Sequence, residues 1–352
     1  MVHVNFMTNK KPDFYKNSLE KSRNKLINLL PLSAPVSISI GITNRCNFGC
    51  TFCPTGDFEL SRKSRPNGFM TKDTLKKILK DIKGYNEKIR KISLVTDGEP
   101  FLHKEFVEFV KLIKESNVTD RISTTTNVSL MHRFNFDEIV TSGLTDIVFS
   151  IEHVNDEGYK KVTRNYLKFD QILSNVKNFY EAKKRNNVKL HIHSKILDTS
   201  LTEDDKQKFL KLFEPMSDVI NIDYVQDWAH SDELDLKKDN NKNELTKDGF
   251  NRSTKPESEM ICSSLFMYQK IQWNGNVLAC CVDWKHETST GNIADDTLKN
   301  IWNGEKLRQL RLLHINKKKH LNPACANCGW IKNVIPSDDL TDDREQLKKI
   351  YY

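Results

Sequence analysis

The sequence predicts an α/β protein: a partial (β/α)6 TIM-like barrel followed by a small cysteine-rich domain. Two observations carry this reading. Between Val36 and His230, short β-branched runs alternate six times with stretches of helical periodicity. After a polar interval, the stretch from Met260 to Trp330 holds five of the eight cysteines. Six strand–helix repeats imply a parallel sheet with right-handed crossovers. They fall two short of a closed eight-stranded barrel. At 352 residues and 38% hydrophobic content, the chain can bury one large core and a smaller one.

In order, residues 13–30 read as an amphipathic helix with Tyr15, Leu19, Leu26 and Leu29 on one face, stopped by Pro31. Strands are expected at 36–42, 89–95, 121–127, 146–151, 190–197 and 219–225. Thr71 can cap the first crossover helix, whose buried face is Leu75, Ile78, Leu79 and Ile82. Phe106, Phe109, Val110 and Ile113 mark the second, and a short helix lies near 136–142. Ile172, Leu173, Val176 and Phe179 line the next, and Phe209, Leu210 and Phe213 the last. The expected divisions are an N-terminal helical segment (1–33), the barrel (34–230), a polar linker (231–258), the cysteine-rich domain (259–335) and a polar tail (336–352).

Composition narrows the function classes. No apolar run is long enough to cross a bilayer, and the first residues lack the apolar stretch of a secretory signal. A cytoplasmic setting is expected, where thiols serve as metal ligands rather than disulfides. The net charge of +8 comes from lysines scattered over helical faces without aromatic interleaving, which reads as a solvated surface and not a nucleic-acid or membrane interface.

The chemistry centres on Cys46, Cys50 and Cys53, spaced C-x3-C-x2-C just after the first strand. Three thiolates cannot close a four-thiolate shell. A [4Fe-4S] cube held this way keeps one iron open to another ligand. A structural zinc site would be left incomplete.

This stretch resembles the signature of the radical S-adenosylmethionine (radical SAM) enzymes. The resemblance implies that the three cysteines bind a [4Fe-4S] cluster, that SAM chelates the open iron, and that Phe52 lies beside the adenine. Thr96-Asp97-Gly98-Glu99-Pro100 is similar to the family's Gly-Gly-Glu-Pro turn, which meets the SAM amino group through backbone carbonyls and the acidic side chain. Asp97 stands where the family has its first glycine. By the same resemblance, Asn127 at the end of the third strand and Ser150 and Glu152 at the end of the fourth are SAM contacts, and Arg164 meets the SAM carboxylate.

Cys262, Cys280, Cys325 and Cys328 make a second, four-thiolate set that suits either zinc or a fully ligated [4Fe-4S] cluster. A cysteine, a Gly-x4-Cys hairpin (Gly275 to Cys280), a helix over 297–312 and a final C-x2-C resemble the SPASM/twitch extension of radical SAM enzymes. The shorter twitch form, with one auxiliary cluster, fits best and is similar to that of the 2-deoxy-scyllo-inosamine dehydrogenases. Alternation along a strand lets only one of Cys280 and Cys281 face the cluster, and the hairpin register favours Cys280.

The resemblance implies oxidation of a sugar, aminocyclitol or other polyol hydroxyl, with the auxiliary cluster accepting an electron and a flavodoxin or ferredoxin as donor. His193, Lys195 and Asp227 are the candidate bases, at strand ends facing the expected site. The alternatives are a peptide-modifying maturase forming thioether, carbon–carbon or formylglycine groups, and a non-catalytic zinc protein.

Overall fold

The computed structural model describes residues 24–56, 66–224 and 253–352. Six strands run parallel: β1 (Ser37–Ile40), β2 (Lys91–Ser93), β3 (Ile122–Thr126), β4 (Asp146–Ile151), β5 (His191–Asp198) and β6 (Val219–Tyr224). They lie side by side in sequence order, and the sheet does not close, so the architecture is a partial barrel. The strand positions agree with the sequence reading to within two residues at either end.

The sheet continues past β1. Strand β7 (Tyr268–Ile271) pairs parallel to β1, and β8 (Asn276–Leu278) and β9 (Ser289–Asn292) follow antiparallel. The C-terminal cysteine-rich unit therefore shares one nine-stranded sheet with the barrel. The β7–β8 connection is the expected glycine turn. Gly275 has a φ of +82° there, and a Cβ would come within 2.6 Å of Ile293. On one face of β7, Gln269 accepts a hydrogen bond from the Tyr85 hydroxyl at 2.9 Å.

Helices cover the outside of the barrel. Helix α1 (Lys72–Lys83) starts at Thr71, whose hydroxyl accepts from the Thr74 amide at 3.1 Å, and buries Leu75, Ile78, Leu79 and Ile82. Helix α2 (Phe106–Ser116) buries Phe106, Phe109, Val110 and Ile113. Each such side chain contributes about 1.5–3 kcal/mol. After α3 (Phe136–Thr141) comes α4 (Asp156–Thr163), which the sequence reading did not include. Tyr159 and Val162 are the only large apolar residues in it, too few to set a period. Helices α5 (Phe169–Arg185) and α6 (Glu203–Phe213) complete the layer. Along β4, Ile147, Phe149 and Ile151 are buried while Asp146, Val148 and Ser150 are half-buried on the opposite face. The same alternation puts His191, His193 and Lys195 of β5 on its half-buried face.

Several expectations are corrected. Of the helix expected over 13–30, residues 13–23 lie outside the described residues, and Leu26–Leu29 form a single 3-10 turn. After α7 (Ser264–Met267), the helix expected over 297–312 is broken at Gly304, whose extended backbone separates α8 (Leu298–Asn303) from α9 (Glu305–Ile315). The polar 336–352 stretch carries a helix of its own. After α10 (Pro323–Ala326), helix α11 (Arg344–Tyr351) buries Leu347 and sets the Tyr351 ring 5.4 Å from Phe266. The end of the expected linker is tied to this segment, with Lys255 Nζ 3.0 Å from Asp339 and 2.7 Å from Asp342. Most of that linker, 231–252, lies outside the described residues, as does Asp227.

Candidate active site

The three N-terminal cysteines share one loop at the C-terminal end of β1. Turns hold its shape: the Cys53 amide donates to the Cys50 carbonyl at 3.1 Å, and the Gly56 amide to Cys53 at 2.8 Å. The end of α4 braces it, since the carbonyls of Val162 and Thr163 accept from Thr51 and Gly49, each at 2.9 Å. Three donors point at the sulfurs. The Phe48 amide is 3.4 Å from Cys46 Sγ, the Thr55 hydroxyl 3.1 Å from Cys53 Sγ, and Asn127 Nδ2 3.9 Å from Cys46 Sγ. Burial pushes all three thiols up, and the nearby carboxylates Glu99 and Glu152 add to this at Cys46. Soft sulfur donors in a dry loop fit an iron–sulfur cluster, whose binding removes the thiol protons.

Asn127 does more than face a sulfur. It donates to Asn47 Oδ1 at 3.0 Å, and its own oxygen accepts from the Ser129 hydroxyl at 2.6 Å. Asn47 in turn donates to Ser129 at 2.9 Å. Asn47, Ser129 and Thr55 were not singled out from sequence, because isolated polar residues in loops give no periodic signal.

The Thr96–Pro100 turn presses on the segment that enters the cysteine loop. The Glu99 amide donates to Arg45 O at 2.8 Å, and a Cβ on Gly98 would come within 2.4 Å of that oxygen. Only glycine fits there. The Glu99 carboxylate accepts from three protein donors: the Phe101 amide at 3.0 Å, the Thr126 hydroxyl at 2.7 Å and the Asn127 amide at 2.8 Å. Burial pushes it up to about 7, against those hydrogen bonds. Those bonds staple the turn to the end of β3. Asp97 is buried in an ion pair with Lys270 at 2.6 Å and accepts from Gln272 at 2.9 Å.

At the ends of β4 and β5, Ser150, Ile151, Glu152, Lys195 and Leu197 join Phe52 of the cysteine loop around a small cavity of about 50 Å³. Burial pushes the Glu152 carboxyl up to about 7, while Lys195 draws it down. Lys195 Nζ also lies 3.9 Å from Asp223. His193 is one step deeper on the same face and is not among the cavity's lining residues. Burial first, then Lys195 and His191, push it down to about 4, so it is a weak proton acceptor. Arg164, in a left-handed conformation at the end of α4, donates to the Gly56 carbonyl at 2.9 Å and so lies against the cysteine loop.

The second set gathers around the β8 end. Charges on Cys262, Cys280 and Cys328 all act on Cys325, and Cys280 and Cys328 act on Cys262. Burial pushes the Cys262 thiol up to about 12. The buried Lys319 donates to the Cys325 carbonyl at 2.8 Å beside them. The alternation argument for Cys281 does not apply, because β8 ends at Leu278, before both cysteines. Cys280, Cys262 and Cys328 all act on Cys281, so it sits within the set. Among the described residues, no three His, Cys, Asp or Glu side chains are already grouped to hold a single metal ion.

Comparison with known proteins follows these two cysteine sets. Residues 40–199 match the Radical SAM superfamily and 262–329 an iron–sulfur cluster-binding domain, SPASM. A probable GTP 3',8-cyclase of Methanocaldococcus jannaschii is 33% identical over 128 residues, 36% of this chain and 40% of that protein, so the chain spans well under half of that relative. Among solved structures, BtrN in complex with AdoMet and 2-DOIA has a TM-score of 0.52 at 18% identity, over 84% of this chain and 93% of BtrN. Streptococcus suis SuiB bound to precursor peptide SuiA has a TM-score of 0.61 at 16% identity, over 80% of this chain and 67% of SuiB. At these identities the two structures speak for the fold.

Proposed function

From a chain that carries a radical SAM domain followed by a SPASM domain, we propose an oxidoreductase that converts a hydroxyl-bearing carbon of a small polyol, sugar or aminocyclitol into a ketone. These domains imply a [4Fe-4S] cluster with SAM and further iron–sulfur chemistry. Cys46, Cys50 and Cys53 would hold the first cluster, and Cys262, Cys280, Cys325 and Cys328 the second. When bound, these groups supply a 5′-deoxyadenosyl radical to take the carbon-bound hydrogen atom and an acceptor for the electron left behind. The hydroxyl proton must then leave to the protein; Lys195 is the candidate to carry it, once its own ammonium proton has passed to the Glu152 carboxylate that also lines the cavity.

The observation that carries this reading is the cavity between Phe52 and the ends of β4 and β5. Its lining of Ser150, Glu152 and Lys195 offers hydrogen bonds and charge to a small polar ligand. Glu152 and Lys195 face each other across it, and the Tyr159 hydroxyl accepts from the Glu152 amide at 3.2 Å, fixing the strand end. Asn127, Asn47 and Ser129 order the opposite side of the cysteine loop.

A second reading, peptide modification, comes from the likeness to Streptococcus suis SuiB bound to precursor peptide SuiA. Product analysis separates the two. Anaerobically reconstituted, reduced protein is incubated with SAM and either polyols or peptides, and 5′-deoxyadenosine and products are quantified. A ketone formed in step with 5′-deoxyadenosine supports the proposal; modified peptide alone replaces it with the second reading. Two cubes require about eight irons per chain, and zinc alone would overturn both readings.

A further inference from the structure

Lys270 lies in β7, between β1 and β8 of the shared sheet, with its side chain 0% exposed. Its ammonium is 2.6 Å from Asp97 Oδ1 in the Thr96–Pro100 turn. It also donates to the Cys281 carbonyl at 3.3 Å and lies 5.5 Å from the Trp284 ring centroid. Gln272, two residues on, donates to the other Asp97 oxygen at 2.9 Å, and His286 Nε2 is 3.9 Å from it. One buried cation thus touches both the turn at the barrel mouth and the loop that carries the auxiliary cysteines. The turn in turn rests on Arg45, next to Cys46.

A buried ion pair is a poor stabiliser, because desolvation offsets most of its attraction and an apolar pair often does as well. It does have direction: a short contact between opposite charges, with Gln272 donating to the second carboxylate oxygen, fixes where Asp97 sits. Asp97 stands at the position where the resembling turn has glycine, which has no side chain to be held.

We propose that Asp97 and Lys270 are positioning residues: their ion pair fastens the SAM-facing turn to the auxiliary-cysteine loop, so that SAM affinity depends on the C-terminal domain. This rests on the reading that the turn's backbone faces SAM. Neither residue need touch the reacting atoms.

The test uses the reconstituted full chain and four variants: D97N, K270M, the double variant D97N/K270M and Q272L. SAM affinity is read from the SAM-induced change in the cluster spectrum, with iron content and thermal midpoint measured alongside. The single variants at Asp97 and Lys270 should weaken SAM binding by roughly tenfold or more, as loss of supporting partners does at other bound groups. They leave one buried charge unpaired and lower the midpoint too. The double variant should recover the midpoint and iron content but keep the weakened SAM affinity; Q272L should show a smaller loss of affinity. If the single variants do not fold, the double variant and Q272L decide. A double variant that binds SAM like the wild type overturns the proposal and leaves the pair purely structural. A wild-type protein with full iron content and no spectral response to SAM would instead sink the reading of the turn as a SAM contact.

Discussion

Replacing Glu99 separates a staple from a direct cofactor contact. Its carboxylate accepts three hydrogen bonds, from two backbone amides and one hydroxyl, all buried. In Glu99→Ala all three donors lose their acceptor. At about 1–1.5 kcal/mol each, reduced from the isolated value because the three share one group, the loss is about 3–5 kcal/mol. Glu99→Gln keeps the shape and one acceptor oxygen, but its NH2 group must face the Thr126 hydroxyl and Phe101 amide or the Asn127 amide. Its cost is about 1–2 kcal/mol. For a domain of this size, each kcal/mol moves the midpoint by roughly 2–4 °C. Thermal unfolding by circular dichroism under oxygen-free conditions reads both values, and SAM affinity is measured on the same samples. The expected order is wild type, Gln, Ala in stability, with SAM affinity falling in step. A Glu99→Gln protein as stable as the wild type but unable to bind SAM would refute the staple and restore a direct contact by the acid.

Cys50→Ala should abolish 5′-deoxyadenosine formation under reducing, oxygen-free conditions; turnover at the wild-type rate would break the assignment of the three-cysteine loop. Cys325→Ala should leave SAM cleavage largely intact while blocking product, whereas an unfolded variant would make the second cysteine set chiefly structural. Lys195→Met should lower product formation by about a hundredfold, within the usual range for losing a proton carrier, and raise the ratio of 5′-deoxyadenosine to product. At Asp146, burial pushes the carboxyl up, but the two Arg121 hydrogen bonds at 2.9 and 2.6 Å and the Thr145 hydroxyl outweigh it and hold it below its ordinary value. Its contribution is therefore present above about pH 4 and lost as pH falls further. Asp146→Asn should cost about 1 kcal/mol at pH 7, discounted for the exposure of Arg121, and the difference should close in acid denaturation profiles once the pH falls well below the usual carboxylate range.

What could be read from the sequence was local. The C-x3-C-x2-C spacing, the alternation in β4 and β5, and the apolar faces of α1 and α2 are set by residues within a few positions of one another, and periodicity reports them directly. What could not be read was pairing across the chain. Tyr85 and Gln269 are 184 residues apart, Gln272 and Asp97 175, and Asn47 and Ser129 82. No local pattern announces such partners. The Cys280–Cys281 argument failed for a related reason: it assumed that the strand ran through both cysteines, while β8 ends at Leu278. Tertiary placement of the following loop, not strand pleat, decides where those sulfurs point.

The shared sheet bears on how the two cysteine sets can work together. Domains joined by a flexible linker can change their separation, and a polar 231–258 stretch invites that picture. The β1–β7 ladder argues otherwise. Four registered residue pairs, Ser37 to Ile40 against Tyr268 to Ile271, lock the C-terminal unit to the strand that delivers the first cysteine loop. Sliding that ladder by one residue would turn Lys270 away from Asp97 and exchange the faces carrying Gln269 and Lys270. The register is thus pinned from both faces, by Tyr85 on one and Asp97 on the other. A fixed separation between the cysteine sets suits the proposed reaction, in which the second cluster would accept an electron from each substrate at the same distance. The sheet, not the linker, sets that distance.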